Sequence, residues 1–153
     1  MGYKGLPFTM YKFRTMRMAE KQDSTAARDL AITKDGDTRV TSVGRFLRTT
    51  RLDELPQIVN ILRGDMSWIG PRPEAIVLSH WYEENIPFYR YRHVIRPGIA
   101  GWAQVSQGHV ADIHEVRSKL YYDFYYIKHY SLWIDLLIVV RTVWIMVSGF
   151  GAR

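Results

Sequence analysis

Two adjacent carboxylates, Asp53 and Glu54, lie in the stretch RTTRLDELPQIVNILRGDMSWIGPRPE, Arg48 to Glu74. Arg45, Arg48 and Arg51 precede them at steps of three, so a helix there carries one cationic face leading to the carboxylates. A carboxylate among cations stays ionised at neutral pH, which a nucleophile or a metal ligand requires. Two neighbouring carboxylates also repel each other, and a divalent cation bound through oxygen relieves that repulsion. The same residue types suit a helix start, with Asp53 as N-cap and Glu54 at the positive end of the helix dipole. On spacing alone both readings stand. Further on, the prolines of Pro71-Arg72-Pro73 fix the backbone on either side of one arginine. A guanidinium displayed with little freedom suits bidentate recognition of phosphate, although a plain rigid turn would look the same.

Other chemistries find no support. RPGIAGW is not a GxGxxG loop, and no Walker motif or GxSxG elbow occurs. The five histidines, at 80, 93, 109, 114 and 129, form no HExxH or other close metal spacing. Cysteine is absent, which excludes disulfides and thiolate metal sites. The formal charge of +6 fits a polyanionic partner: nucleic acid, a nucleotide diphosphate or an anionic membrane face. No nucleic-acid motif accompanies the charge, so nucleic acid is not the expected partner. The first residues hold no apolar signal-peptide core, and Leu6 stands where a myristoylation signal needs Ser or Thr.

The elements that must position these groups follow from periodicity. Residues 8–16 alternate well enough for a short strand carrying Lys12 and Arg14 on one face. Residues 17–38 are polar and read as a short exposed helix and a turn at Gly36. Ser42 is a possible cap for a helix through Arg51. A second helix is expected from Asp53, with Leu55, Ile58, Val59 and Leu62 as its buried face, Pro56 in its first turn and Gly64 as its stop. Further helices are expected over 74–84, 112–128 and 132–148. The last is apolar nearly all round, apart from Asp135 and Arg141. It is short for a membrane span and its charges suit one poorly, so a buried or interfacial helix is expected. The aromatic content is high, 14% with ten Tyr and five Trp. Trp133 and Trp144 share a helical face, and Lys128 and Arg141 suit anionic headgroups, so residues 121–148 are a candidate membrane-facing surface as well as a candidate core stripe.

Taken in order, YKFRTM, RVTSVGRFLRTTRLDELPQIVNILRGDMSWIGPRPE, RPGIAGWAQV and YYIKHYSLWIDLLIVVRT resemble the bacterial sugar transferase family. These are monotopic polyprenyl-phosphate phosphoglycosyl transferases that initiate exopolysaccharide, O-antigen and capsule synthesis. The resemblance spans nearly the whole chain. It implies transfer of a sugar phosphate from a UDP-sugar to undecaprenyl phosphate, with release of UMP, at the cytoplasmic face of the bacterial inner membrane. It further implies Asp53 as nucleophile through a phosphosugar-aspartate, and Glu54 as a holder of Mg²⁺. Lys12, Arg48 and Arg72 would contact phosphates, and Asp135 would complete the site from the last helix.

Two departures from the family pattern bear on this. Family members carry a hydrophobic re-entrant helix before YKFRTM, whereas about ten residues precede it here. That leaves open a truncated domain, or one that has lost its anchor and its activity. GWAQVSQGH stands where many relatives read GWAQVNGR, so no sugar specificity is carried across. The expected fold is α+β: one small, mainly helical domain over residues 1–153, with a minor strand component, peripheral to the membrane.

Overall fold

The computed structural model describes residues 1–17, 37–107 and 113–148. The polar helix expected over 17–38 lies almost wholly outside them. Among the described residues six helices and two short strands follow one another: α1 (Ser42–Thr49), α2 (Gln57–Leu62), β1 (Ser67–Ile69), α3 (Ile76–Asn85), β2 (Gly98–Ala100), α4 (Trp102–Gln107), α5 (Ile113–Lys128) and α6 (Leu132–Ser148). Short 3₁₀ turns occupy Tyr3–Gly5, Leu52–Glu54 and Tyr89–Val94. The mainly helical α+β reading holds.

The strands form a parallel pair, Ser67 opposite Gly98 and Ile69 opposite Ala100. Parallel strands need a long crossover, supplied here by α3 and the turn after it. The pairing is close: a Cβ on Gly98 would lie 2.1 Å from the Gly70 nitrogen, so only glycine fits. Two apolar clusters form the core among the described residues. Ile86, Tyr89, Val116 and Leu120 join α5 to the turn after α3. Tyr126, Ile134 and Ile138 join α5 and α6 to Ile69, Ala100 and Val105.

Three local expectations are corrected. First, residues 8–16 run extended without a ladder, apart from one antiparallel bridge, Met16 to Val40. The segment is held instead by single anchors. The Asn60 amide donates to the Thr9 carbonyl at 2.7 Å and accepts from the Tyr11 N–H at 3.0 Å, and the Phe13 N–H donates to the Asp53 carbonyl at 3.0 Å. Gly44 lets α1 lie against Thr15, since a Cβ there would stand 2.1 Å from the Thr15 carbonyl oxygen.

Second, the cap of α1 is Thr41, whose hydroxyl accepts from the Gly44 N–H, and not Ser42. Asp53 caps nothing: it sits inside a 3₁₀ turn, and α2 begins only at Gln57. Pro56 has no N–H to give Leu52, so the α-helical ladder is broken there and tighter i→i+3 bonds take its place.

Third, α2 turns the other way. Leu55, Ile58, Val59 and Leu62 are exposed, Leu62 by 82%, while Gln57 and Asn60 are buried. The period is helical as expected, but the clamp that Asn60 forms on residues 9–11 decides which face points inward. A fully buried amide without partners would cost several kcal/mol, and here it is satisfied.

The deepest polar feature is an ion pair. The Arg92 guanidinium lies 2.8 Å from an Asp123 carboxylate oxygen, each side chain 2% exposed. It also donates to the Tyr89 hydroxyl and to the Arg72 carbonyl. Asp123→Asn would leave a buried guanidinium uncompensated and should lower stability by ~3–5 kcal/mol. Urea titration of the purified variant checks this, and a loss below ~1 kcal/mol would show that Arg92 does not depend on Asp123.

Candidate active site

The carboxylates reach the same place by separate routes. The 3₁₀ turn Leu52–Glu54 follows Arg51, whose backbone is left-handed at φ 60° and swings the chain away from α1. That turn buries both acids, Asp53 to 8% exposure and Glu54 to 7%. Lys12 sits between the two anchored residues Tyr11 and Phe13, which aims it at the turn. Its ammonium lies 3.2 Å from Glu54 Oε1. From the other side Arg72 donates through one nitrogen to Oε1 and through another to Oε2. Its backbone is fixed because its carbonyl accepts from Arg92 at 2.9 Å. The prolines and Arg92 thus hold the Arg72 main chain, and Glu54 holds its side chain by taking both outer guanidinium nitrogens.

The two acids differ sharply in electrostatics. Burial alone would raise the Glu54 carboxyl, but the charges and hydrogen bonds of Arg72 and Lys12 hold it down at about 2. For Asp53, burial and the neighbouring Glu54 charge push the carboxyl above its ordinary range, against the pull of Lys12, Arg48 and Arg72. Burial outweighs the cations in setting the direction of this shift. The Asp53 side chain makes no hydrogen bond or ion pair among the described residues. Lys12 responds to the same crowding: burial and then Arg72 lower its ammonium, and Glu54 opposes them.

Asp53, Glu54, Lys12 and Arg72 therefore meet, with the Arg48 charge close enough to act on Asp53. Asp135 is placed differently. In the first turn of α6 it accepts from the Tyr126 hydroxyl at 2.7 Å, and none of its contacts among the described residues is with the cluster. That hydrogen bond is what makes a carboxylate tolerable in so apolar a helix. Of the divergent SQGH loop, Gly108 and His109 lie outside the described residues.

Two positioning residues escape sequence reasoning, Asn60 and Arg92. Asn60 is visible there only as a polar residue beside the apolar stripe of its helix. Arg92 stands in the alternating run YRYRH, where nothing marks one arginine as buried.

As to metal, among the described residues no three His, Asp or Glu side chains converge. Mg²⁺ commonly takes one or two carboxylates and completes its shell with phosphate oxygens and water. Beside a diphosphate, Glu54 would be the carboxylate to supply such a ligand, its two oxygens already accepting from Lys12 and Arg72.

The Glu54 cluster has a pH signature. Its folded-state carboxyl lies below its ordinary 4.5, so its contribution to stability is full above that value and is lost as pH falls toward about 2. Denaturation of wild type and Glu54→Gln at pH 7, 4.5 and 3 should show a stability difference that shrinks across the two acid points. A difference that stays constant would mean that Glu54 is not held ionised by Lys12 and Arg72.

A bacterial sugar transferase family model matches residues 1–149. The chain is 51% identical over 146 residues, 95% of its length, to a UDP-N-acetylgalactosamine-undecaprenyl-phosphate N-acetylgalactosaminephosphotransferase of Aeromonas hydrophila, covering 33% of that protein. It is 44% identical over 92% of its length to a UDP-glucose:undecaprenyl-phosphate glucose-1-phosphate transferase of Xanthomonas campestris, covering 29% of it. A protein of the same description from Caulobacter vibrioides is 45% identical over 93% of the chain and is covered to 52%. The chain thus spans between about a third and a half of the length of these relatives. With its cluster of Lys12, Asp53, Glu54 and Arg72 inside the matched region, the chain belongs to the bacterial sugar transferase family.

Proposed function

We propose that this chain carries the catalytic centre of a phosphoglycosyl transferase that moves a sugar phosphate from a UDP-sugar to undecaprenyl phosphate. One observation carries the reading. Of two adjacent buried acids, Glu54 is neutralised by Lys12 and Arg72, while Asp53 is unpaired among the described residues and more basic than an ordinary aspartate. An ionised carboxylate that binds protons tightly is also the better electron donor to phosphorus. The names of the relatives above supply the substrates.

In the first displacement an Asp53 oxygen attacks the β-phosphorus of the UDP-sugar. A phosphorus–oxygen bond forms, the bond to the bridging oxygen breaks, and UMP leaves with that electron pair. In the second, a phosphate oxygen of undecaprenyl phosphate attacks the phosphosugar-aspartate, forming the lipid diphosphate sugar and freeing the carboxylate. Lys12 and Arg72 hold cationic charge against the phosphoryl oxygens, and Arg48 does so from α1. Mg²⁺, held by Glu54 and the diphosphate, would supply further neutralisation of charge. Fixed geometry suits Asp53 to the attack: its own backbone carbonyl anchors Phe13, and its short side chain has little freedom.

Asp135 enters this reading through the family resemblance, with Tyr126 setting its orientation. The reading also places the protein at the cytoplasmic face of the membrane. In support, Leu132, Trp133, Val143 and Trp144 of α6 are all more than half exposed, Leu132 by 89%. Among the described residues no helix is long and apolar enough to cross a bilayer.

UMP release from UDP-sugars with Mg²⁺ and undecaprenyl phosphate in detergent tests the chemistry. Asp53→Asn keeps the size and polarity of the side chain, so it should stay folded and lose at least ~10³-fold in rate. Asp135→Asn keeps an acceptor for Tyr126 and should also stay folded with much reduced turnover. Wild-type-like rates in either variant would remove that residue from the mechanism. Sedimentation with anionic vesicles at low salt tests the location, and folded protein left in the supernatant would refute it.

A further inference from the structure

A cavity of about 220 Å³ lies beside the cluster of acids and cations. Its wall is apolar, built by Leu55, Ile58, Trp68, Val105, Ile145 and Met146, and it is also bordered by Arg51 and Glu54. It therefore reaches the residue next to Asp53. Two further polar neighbours are partly engaged: the Gln104 amide donates to the Ile99 carbonyl while its buried Oε1 has no partner, and the Thr142 hydroxyl donates to the Ile138 carbonyl. Glu54 has its charge matched by Lys12 and Arg72. Arg51 has no ion pair among the described residues. Its left-handed backbone, uncommon outside glycine and costly, is of the kind held at ligand-handling positions.

A pocket with apolar walls, a cation unpaired among the described residues and a catalytic carboxylate beside it is complementary to an amphiphile with an anionic head and a hydrocarbon tail. A nucleotide or a sugar, with many donors and acceptors, would meet few polar groups there besides Gln104, Thr142 and the two charged residues. The volume is below the ~300–1,000 Å³ of typical small-ligand sites, so it takes a short length of chain and not a whole lipid. The remainder has a path. The helices that contribute Ile58 and Met146 continue outward as the exposed apolar faces of α2 (Val59, Leu62) and α6 (Val139, Val143).

We propose that this cavity receives the first isoprenoid units of the acceptor, with Arg51 meeting its phosphate and the distal tail running out between α2 and α6. This rests on the function proposed above and names where its second substrate binds. It also gives a reason for the inverted face of α2: the apolar side chains that look misplaced in water line the route of the lipid.

Two experiments test it. A polyprenyl phosphate bearing a diazirine on its first isoprene units is irradiated with the wild-type protein in detergent, and labelled peptides are mapped by mass spectrometry. Labels on Trp68, Ile145 or Met146 are expected. Labels confined to other residues would overturn the assignment. In parallel, Ile58→Trp and Met146→Trp fill the cavity from two helices at partly exposed positions, which leaves the core alone. Each should raise the KM for undecaprenyl phosphate by about tenfold while changing that for the UDP-sugar by no more than about twofold. Arg51→Gln should raise the same acceptor KM. A rise in the donor KM alone would show that the cavity belongs to the nucleotide sugar and sink the proposal. Labelling requires no turnover, so a labelled Met146 in a protein that releases no UMP would fault the function and not the cavity. Turnover with labels elsewhere would fault the cavity alone.

Discussion

Everything at the centre of this molecule depends on one buried carboxylate shared by two cations. Glu54 ties together the extended segment of Lys12, the turn that follows α1 and the Pro-Arg-Pro stretch, three pieces distant in sequence. Ion pairs of this kind are weak sources of net stability, because the charges must first leave water. Their effect is on specificity of arrangement: with Glu54 gone, the Lys12 ammonium and the Arg72 guanidinium would crowd each other without a counter-charge. The cluster therefore acts as a lock on geometry, and it surrounds Asp53 with cationic charge without satisfying it.

Behind the lock stands a second line of polar contacts. Asp123 of α5 holds Arg92, and Arg92 holds the main chain of Arg72, whose side chain holds Glu54. The Arg92–Asp123 link is fully buried and the other two are partly so, and away from water hydrogen bonds to charged groups are stronger and misplacement costlier. On the far side Asn60 performs the same service for Lys12 by clamping the backbone of residues 9 and 11. A rigid support of this kind is what the proposed in-line displacement at phosphorus would demand.

Much of this arrangement is legible in the amino-acid sequence. The helix over 132–148 can be read at both ends, because a long apolar run leaves few alternatives, and α3 and α5 lie within two residues of expectation. The meeting of Lys12, Asp53, Glu54 and Arg72 follows from motif resemblance, and local periodicity alone does not give it. What stays hidden is what depends on partners distant in the chain. The strands Ser67–Ile69 and Gly98–Ala100 are three residues each, too short to alternate visibly, and only their mutual pairing makes them strands. Hydrophobicity assigns α2 one buried face, yet the Asn60 clamp selects the other. Asp53 looks like a helix cap because Asp before a helix usually is one, and the missing N–H of Pro56 moves the helix start to residue 57.

In the proposed mechanism the two acids have opposite duties, one locked in place by cations and one left to react. Intact-protein mass spectrometry after mixing with UDP-sugar and Mg²⁺, without lipid acceptor, followed by fragmentation to locate the modified residue, measures that division directly. One added sugar phosphate, carried on Asp53, is expected in wild type and none in Asp53→Asn. The same added mass in Asp53→Asn, or its location on Glu54, would contradict this division of roles.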